Sequence, residues 1–240
     1  MIEVKALTKN YGSIAAVQDL HFEIGKGEIV GFLGPNGAGK STTMRILTGF
    51  FPATSGTARI AGYEVHAEPL EVKRRVGYMP ERVPLYEEMT VSAFLRYAAD
   101  IKGVPRAELR AEADRVAERC GLADMRPRLI RNLSKGYRQR VGLAQALIGS
   151  PPVIILDEPT AGLDPKQIVD IRQMIMELGN EHTILLSTHI LPEVAMVCQR
   201  VIIIHRGRLV TQARMEDLTG AGGRTLEEAF MSAISAEAAA

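Results

Sequence analysis

The chain has 240 residues and nearly balanced charge, with 29 Lys+Arg against 28 Asp+Glu and a net charge of +1. That balance excludes the broad basic excess that drives non-specific nucleic-acid binding, so no nucleic acid is expected as a partner. A hydrophobic fraction of 46% with 24% charged residues excludes a disordered chain and is ordinary for a soluble protein with one real core. Taken in order, residues 2–7 and 20–24 alternate apolar and polar and are split by turn residues, which predicts an antiparallel portion. Residues 29–33 form a compact apolar run, as expected for a strand of a parallel sheet covered by helices on both faces. Residues 76–79, 153–156, 183–187 and 201–204 read as strands too. Between 85 and 150 such runs are absent. Thr90 is the expected N-cap of a helix that puts Val91, Phe94, Leu95, Ala98 and Ile101 on one core face. Leu109, Ala113, Val116 and Cys120 form a second stripe after Pro105. No run approaches the roughly 18–20 apolar residues that span a bilayer, and no signal peptide is visible. Cys120 and Cys198 read as buried, reduced thiols. Residues 236–240 are expected to fray.

The chemistry begins after the strand at 29–33. Gly34-Pro35-Asn36-Gly37-Ala38-Gly39-Lys40-Ser41 matches the pattern G-x-x-x-x-G-K-[ST]. Glycines let the backbone fold around an anion with successive N–H groups pointing inward. A helix starting near Gly39, with Met44, Ile46 and Leu47 apolar and Gly49 just past its end, aims its positive end at the same anion. In this pattern Lys40 reaches the β- and γ-phosphates and the Ser41 hydroxyl is a Mg²⁺ ligand. The expected ligands are therefore ATP and Mg²⁺.

Residues 153–156 run straight into Asp157-Glu158-Pro159. A buried strand would deliver both carboxylates to its C-terminal edge, where ligands bind in α/β sheets. Asp157 is expected to hold Mg²⁺, and Glu158 to orient or deprotonate the water that attacks the γ-phosphate.

Upstream of that strand stands Leu133-Ser134-Lys135-Gly136-Tyr137-Arg138-Gln139-Arg140. With this octapeptide the chain resembles the ATP-binding subunit of an ABC transporter, over roughly residues 2–212. The resemblance implies an α/β fold: a P-loop NTPase core with a mainly parallel sheet, an N-terminal antiparallel β portion and an inserted α-helical subdomain. Its expected limits are 1–84 and 151–212 for the core, 85–150 for the helical subdomain and 213–240 for a short tail. In the family the signature is usually Leu-Ser-Gly-Gly-Gln. This chain keeps Leu133, Ser134 and Gly136 but carries Lys135 and Tyr137. Ser134 and the Gly136 backbone are what the family uses to touch the γ-phosphate held by the other protomer. The resemblance also assigns Tyr11 to the adenine ring, Asp164 of Ala161-Gly162-Leu163-Asp164 to communication across the dimer, and His189 to sensing the γ-phosphate. Ala16, Asn36 and Thr42 complete the implied nucleotide set with Gly34, Gly37, Ala38, Gly39, Lys40 and Ser41. Asp164 before Pro165 equally fits a plain N-cap. Glu81 stands where the family has a glutamine; it can still ligate Mg²⁺ as a hard oxygen donor.

The implied function is an ATPase that powers a membrane transporter by ATP-driven closure of two copies, with a separately encoded integral-membrane permease docked near Glu81 and the helices of 85–120. Location at the inner face of the cytoplasmic membrane follows. Lys135, Glu81 and the tail Thr225-Leu226-Glu227-Glu228-Ala229-Phe230 resemble the exporter branch. The competing reading is a soluble ATPase of the same family that acts on nucleic acid or ribosomes. A single phosphate loop and a short stretch between loop and signature disfavour it.

Overall fold

The computed structural model describes residues 1–219 and 225–238. Two sheets share the molecule. The first is antiparallel and built from β1 (Ile2–Tyr11), β2 (Ile14–Ile24), β4 (Ser55–Ile60) and β5 (Tyr63–Glu64), in the order β2-β1-β4-β5. The second contains β3 (Ile29–Leu33), β6 (Val76–Met79), β7 (Val153–Asp157), β8 (Thr183–Thr188), β9 (Arg200–His205) and β10 (Arg208–Arg214). Its order is β10-β9-β3-β8-β7-β6, with every neighbouring pair parallel except β9 and β10.

The apolar strands of the second sheet feed two cores by simple alternation. Ile29, Leu33, Ile154, Leu156, Ile184, Leu186, Val201 and Ile203 face one core. There they meet α3 (Val91–Lys102), α4 (Leu109–Arg119), α5 (Lys135–Leu147), α6 (Pro165–Gly179) and α7 (Leu191–Val197). Val30, Phe32, Ile155, Leu185, Ile202 and Ile204 face the other. The expectation that helices cover both faces needs amendment here. On this second side, α1 (Lys40–Leu47) shares the cover with Ile2, Val4, Leu20 and Phe22 of the antiparallel sheet. A β-sheet face buries the alternating strands as well as a helix does.

Between 85 and 150 the expected helices are present, and Thr90 caps α3 by accepting from the Ala93 N–H at 3.2 Å. The expected stripe breaks at its end. Val91, Phe94 and Leu95 are buried, but Ile101 is 68% exposed. It faces a groove between α3 and α2 (Pro69–Arg75), which Tyr78, Tyr86 and Tyr97 also line. The C-terminal tail folds as α8 (Met215–Thr219) and α9 (Leu226–Ala238), with Leu226 buried in the first core. Fraying was expected over residues 236–240, but α9 continues as helix to Ala238, and Ala239 and Ala240 lie outside the described residues.

Cys120 and Cys198 are both buried and unbridged. Burial pushes each thiol up to about 12. Because the thiolate is the reactive form, neither should be modified by a disulfide reagent at about pH 8 in the native protein, whereas both should react once it is denatured. Rapid native labelling of either, followed by absorbance, would contradict the packing.

Candidate nucleotide-binding site

The sheet register builds this site. Leu33 of β3 pairs with Thr188 of β8, Asp157 of β7 pairs with Ser187 of β8, and Met79 of β6 pairs with Leu156 of β7. The C-terminal ends of four adjacent strands are thus level. Whatever follows each strand arrives at one edge: the loop from Gly34, the Asp157-Glu158 pair, His189 and Glu81. That edge is where parallel sheets present ligands.

The loop at 34–41 is held from both sides. The Gly207 N–H, in the turn between β9 and β10, donates to the Ala38 carbonyl at 3.0 Å, and the Gln18 N–H donates to the Gly207 carbonyl at 2.7 Å. Two glycines are sterically required. Gly39 has φ +104°, and a Cβ there would lie 2.5 Å from the Ala16 carbonyl oxygen. A Cβ on Gly34 would overlap the Ile204 carbonyl oxygen. Lys40 opens α1 and is almost fully buried, its ammonium donating to the Gly34 carbonyl at 2.6 Å and the Pro35 carbonyl at 3.3 Å. Burial lowers its pKa below the ordinary lysine value, while the Glu158, Asp157 and Glu81 carboxylates pull it back up. α1 ends at Leu47 with Thr48 as its C-cap and Gly49 in the left-handed region just beyond, as expected of a C′ glycine.

Asp157 is 2% exposed and its Oδ1 has no hydrogen-bond partner. Burial raises its pKa, the Ser187 and Ser41 hydroxyls lower it, and the nearby Glu158 and Glu81 carboxylates raise it further. An orphaned buried carboxylate oxygen facing a hydroxyl and a second carboxylate is a hard-oxygen environment, which suits a divalent cation such as Mg²⁺. Among the described residues no three His, Cys, Asp or Glu side chains gather as a metal cluster.

Glu158 is buried, and its carboxylate lies 2.8 Å from His189 Nδ1, whose ring is half-exposed. Ala16, residues 36–42, Glu81, Glu158, Ala161 and His189 surround a cavity of about 290 Å³. The cavity therefore combines the backbone of the loop, an ammonium, a hydroxyl and carboxylates, a set suited to a polyphosphate with its counter-ion.

The remaining expected residues stand apart. Tyr11, at the end of β1, is 44% exposed and meets Phe51 edge-on with ring centroids 6.2 Å apart. Ser134 caps α5, accepting from the Tyr137 N–H at 3.4 Å, and Asp164 caps α6, accepting from the Gln167 N–H at 3.0 Å with Pro165 as first helical residue. Neither Ser134, Gly136 nor Asp164 lines the cavity of its own chain. A second cavity of about 300 Å³, containing Lys135 and Gln139 at the foot of α5, shares Glu81 and Ala161 with the first. Thr160 and Glu193, which sequence reasoning missed, form a buried hydrogen bond beneath the Glu158 turn. They are 33 residues apart, and no spacing rule links them.

Comparison with known proteins agrees with this geometry. A family model described as ABC transporter matches residues 17–161. The ABC transporter ATP-binding protein NatA of Bacillus subtilis (strain 168) is 38% identical over 207 residues, covering 85% of this chain and 84% of NatA. A solved ATP-binding subunit of an ABC transporter is 33% identical, with a TM-score of 0.87 over 98% of this chain and 99% of its own. A dimeric ATP-binding cassette, solved in a post-hydrolysis state bound to ADP and Pi, is 26% identical with a TM-score of 0.81, covering 90% of this chain and 99% of its own.

Proposed function

This chain belongs to the ABC transporter family as an ATP-binding, ATP-hydrolysing subunit, and from that premise we propose that it powers export through a separately encoded integral-membrane permease. The observation that carries the reading is the convergence of the 34–41 loop, Glu81, Asp157, Glu158 and His189 at one sheet edge.

In this reading the backbone of Gly34, Asn36, Gly37, Ala38 and Gly39 cradles the phosphates, Lys40 neutralises the β- and γ-phosphates, and Thr42 extends the cradle along α1. Ser41 and Asp157, with Glu81, hold Mg²⁺, which supplies neutralisation of charge on the phosphate oxygens. Glu158 orients the attacking water and accepts its proton. His189 fixes the Glu158 carboxylate from one side and faces the γ-phosphate from the other. Ala16 and Tyr11 border the base. The phosphate cavity has no contact with Ser134 of its own chain, which supports a head-to-tail pair of copies, each lending Ser134, Gly136 and Asp164 to the other's ATP. The capped N-terminus of α5 provides a second anion site for that contact.

The helices of 85–150 transmit closure to the permease, which docks at the groove lined by Tyr86, Tyr97 and Ile101. Among the described residues no helix is long and apolar enough to cross a membrane, which is why the path for substrate is assigned to a partner. The working location is then the inner face of the cytoplasmic membrane. Lys135, Glu81 and the Thr225–Phe230 tail support the exporter branch.

Affinity purification from detergent-solubilised membranes tests the assignment. A polytopic membrane protein is expected to co-purify in stoichiometric amount. Recovery of ribosomes or DNA in its place would overturn it.

A further inference from the structure

Glu193 is a carboxylate where the core offers no evident need of one. It lies on α7, is 3% exposed, and accepts a 2.6 Å hydrogen bond from the Thr160 hydroxyl through Oε2. Thr160 is 1% exposed, and the other Glu193 oxygen, Oε1, has no partner. A well-packed apolar pair of similar volume would avoid the desolvation that this arrangement incurs. The pair is therefore a costly way to fill space, and its position suggests what it does.

Thr160 lies two residues after Glu158, whose backbone has φ +50°, a left-handed conformation that is strained for a non-glycine residue. Such a turn persists only where its surroundings over-determine it. Two backbone bonds help: the Glu158 N–H donates to the Ser187 carbonyl at 2.9 Å, and the Ala161 N–H donates to the Glu158 carbonyl at 3.1 Å. The third restraint is Thr160 on Glu193. It ties the turn to α7, the helix that begins two residues after His189. The segment joining His189 to α7 is itself held at both ends, since the Ile190 N–H donates to the Thr188 hydroxyl of β8 at 3.1 Å and the Glu193 N–H of α7 donates to the Ile190 carbonyl at 3.1 Å. Both ends of the 2.8 Å Glu158–His189 contact are thus referred to one short helix.

We propose that Glu193, acting through Thr160, is a positioning residue for ATP hydrolysis: it holds the Glu158 turn so that its carboxylate stays against His189. This rests on the reading of Glu158 and His189 as the pair that handles the attacking water. Relaxing Glu158 to an ordinary φ swings its carboxylate away from His189, whereas the hydrogen bonds that hold the phosphate loop and Lys40 involve neither Glu158 nor Thr160. Glu193 therefore acts on turnover and not on nucleotide affinity.

Steady-state hydrolysis and equilibrium ATP binding of Thr160→Val, Thr160→Ser and Glu193→Ala decide the matter, with Glu158→Gln measured alongside. Thr160→Val keeps the shape and removes the donor. It is expected to lower kcat by about 10–100-fold, the range for a lost hydrogen bond to a charged group, and to leave KM and ATP affinity within about threefold. Thr160→Ser restores kcat to within about threefold of wild type. Glu193→Ala matches Thr160→Val, and the double variant is no slower than the slower single one, because both remove the same restraint. A Thr160→Val protein that binds ATP and turns over at the wild-type rate overturns the proposal, as do strictly additive losses. If Glu193→Ala does not fold, the two Thr160 variants decide alone. Wild-type turnover by Glu158→Gln would remove the pair on which the proposal stands. An inactive Glu158→Gln beside a fully active Thr160→Val would refute the role of Glu193 alone.

Discussion

Glu158→Gln is expected to bind ATP within a few-fold of the wild-type affinity and to hydrolyse it about 10²–10³-fold more slowly, the loss typical of removing a general base. The substitution conserves shape and hydrogen-bonding reach, so the buried turn and its contact with His189 survive. It removes the one property an amide cannot supply, which is acceptance of a proton from the attacking water. The phosphate loop and Lys40 are untouched, so binding stays. With hydrolysis blocked and ATP retained, the two-copy state accumulates, and light scattering at saturating ATP should report twice the monomer mass. A monomer under those conditions counts against the head-to-tail arrangement, and undiminished turnover counts against Glu158 as base.

Lys40→Met is expected to weaken ATP binding by roughly 10–100-fold, as loss of a charge-assisted hydrogen bond implies. The loss should be larger for ATP than for ADP, because the ammonium is shared between β- and γ-phosphates. Met fills most of the buried volume, so packing against the loop is kept. Lys40 is the ammonium that the Glu158, Asp157 and Glu81 carboxylates all act upon. Its removal leaves the Glu81 and Glu158 carboxylates of the cavity without that ammonium, which further disfavours a polyphosphate. Equilibrium titration with both nucleotides measures the effect, and unchanged ATP affinity would remove Lys40 from the site.

Much of this was legible in the sequence, for physical reasons that also mark the limits. β3, β7, β8 and β9 could be read because strands buried on both faces carry continuous apolar runs at their centres. The loop at 34–41 could be read because its glycines, Lys40 and Ser41 stand in one contiguous stretch of fixed spacing, although what makes Gly34 and Gly39 necessary, the Ile204 and Ala16 carbonyls, lies far away in sequence. β4 and β10 were not foreseen. Both are edge-region strands rich in exposed polar residues, and they exist because β1 and β9 offer them partners. Ile101 was expected in the core because it continues the spacing of Val91, Phe94 and Leu95. Spacing gives the face of a helix, but not where the covering layer stops. Thr160 and Glu193 were invisible for a different reason. Their meaning lies in a contact made only by the level ends of β7 and β8, which no periodicity encodes. Tyr11, Ser134 and Asp164 could be named by resemblance, yet a single copy of the chain leaves all three outside the phosphate cavity.

The clamps on the phosphate loop have a thermodynamic consequence. Ordering a free backbone costs roughly 1–2 kcal/mol per residue. Here the β9–β10 turn and the start of β2 already hold the loop through Gly207, Ala38 and the close approach of Gly39 to Ala16. The ordering entropy of the clamped residues is lost when the chain folds and not when nucleotide arrives, so less of the interaction with phosphate is spent on ordering the loop. It also divides the kinds of damage the loop can suffer. Changes at Lys40 or Ser41 act on the ligand, whereas any side chain at Gly34 or Gly39 presses on Ile204 or Ala16 and weakens the fold itself, with or without ATP.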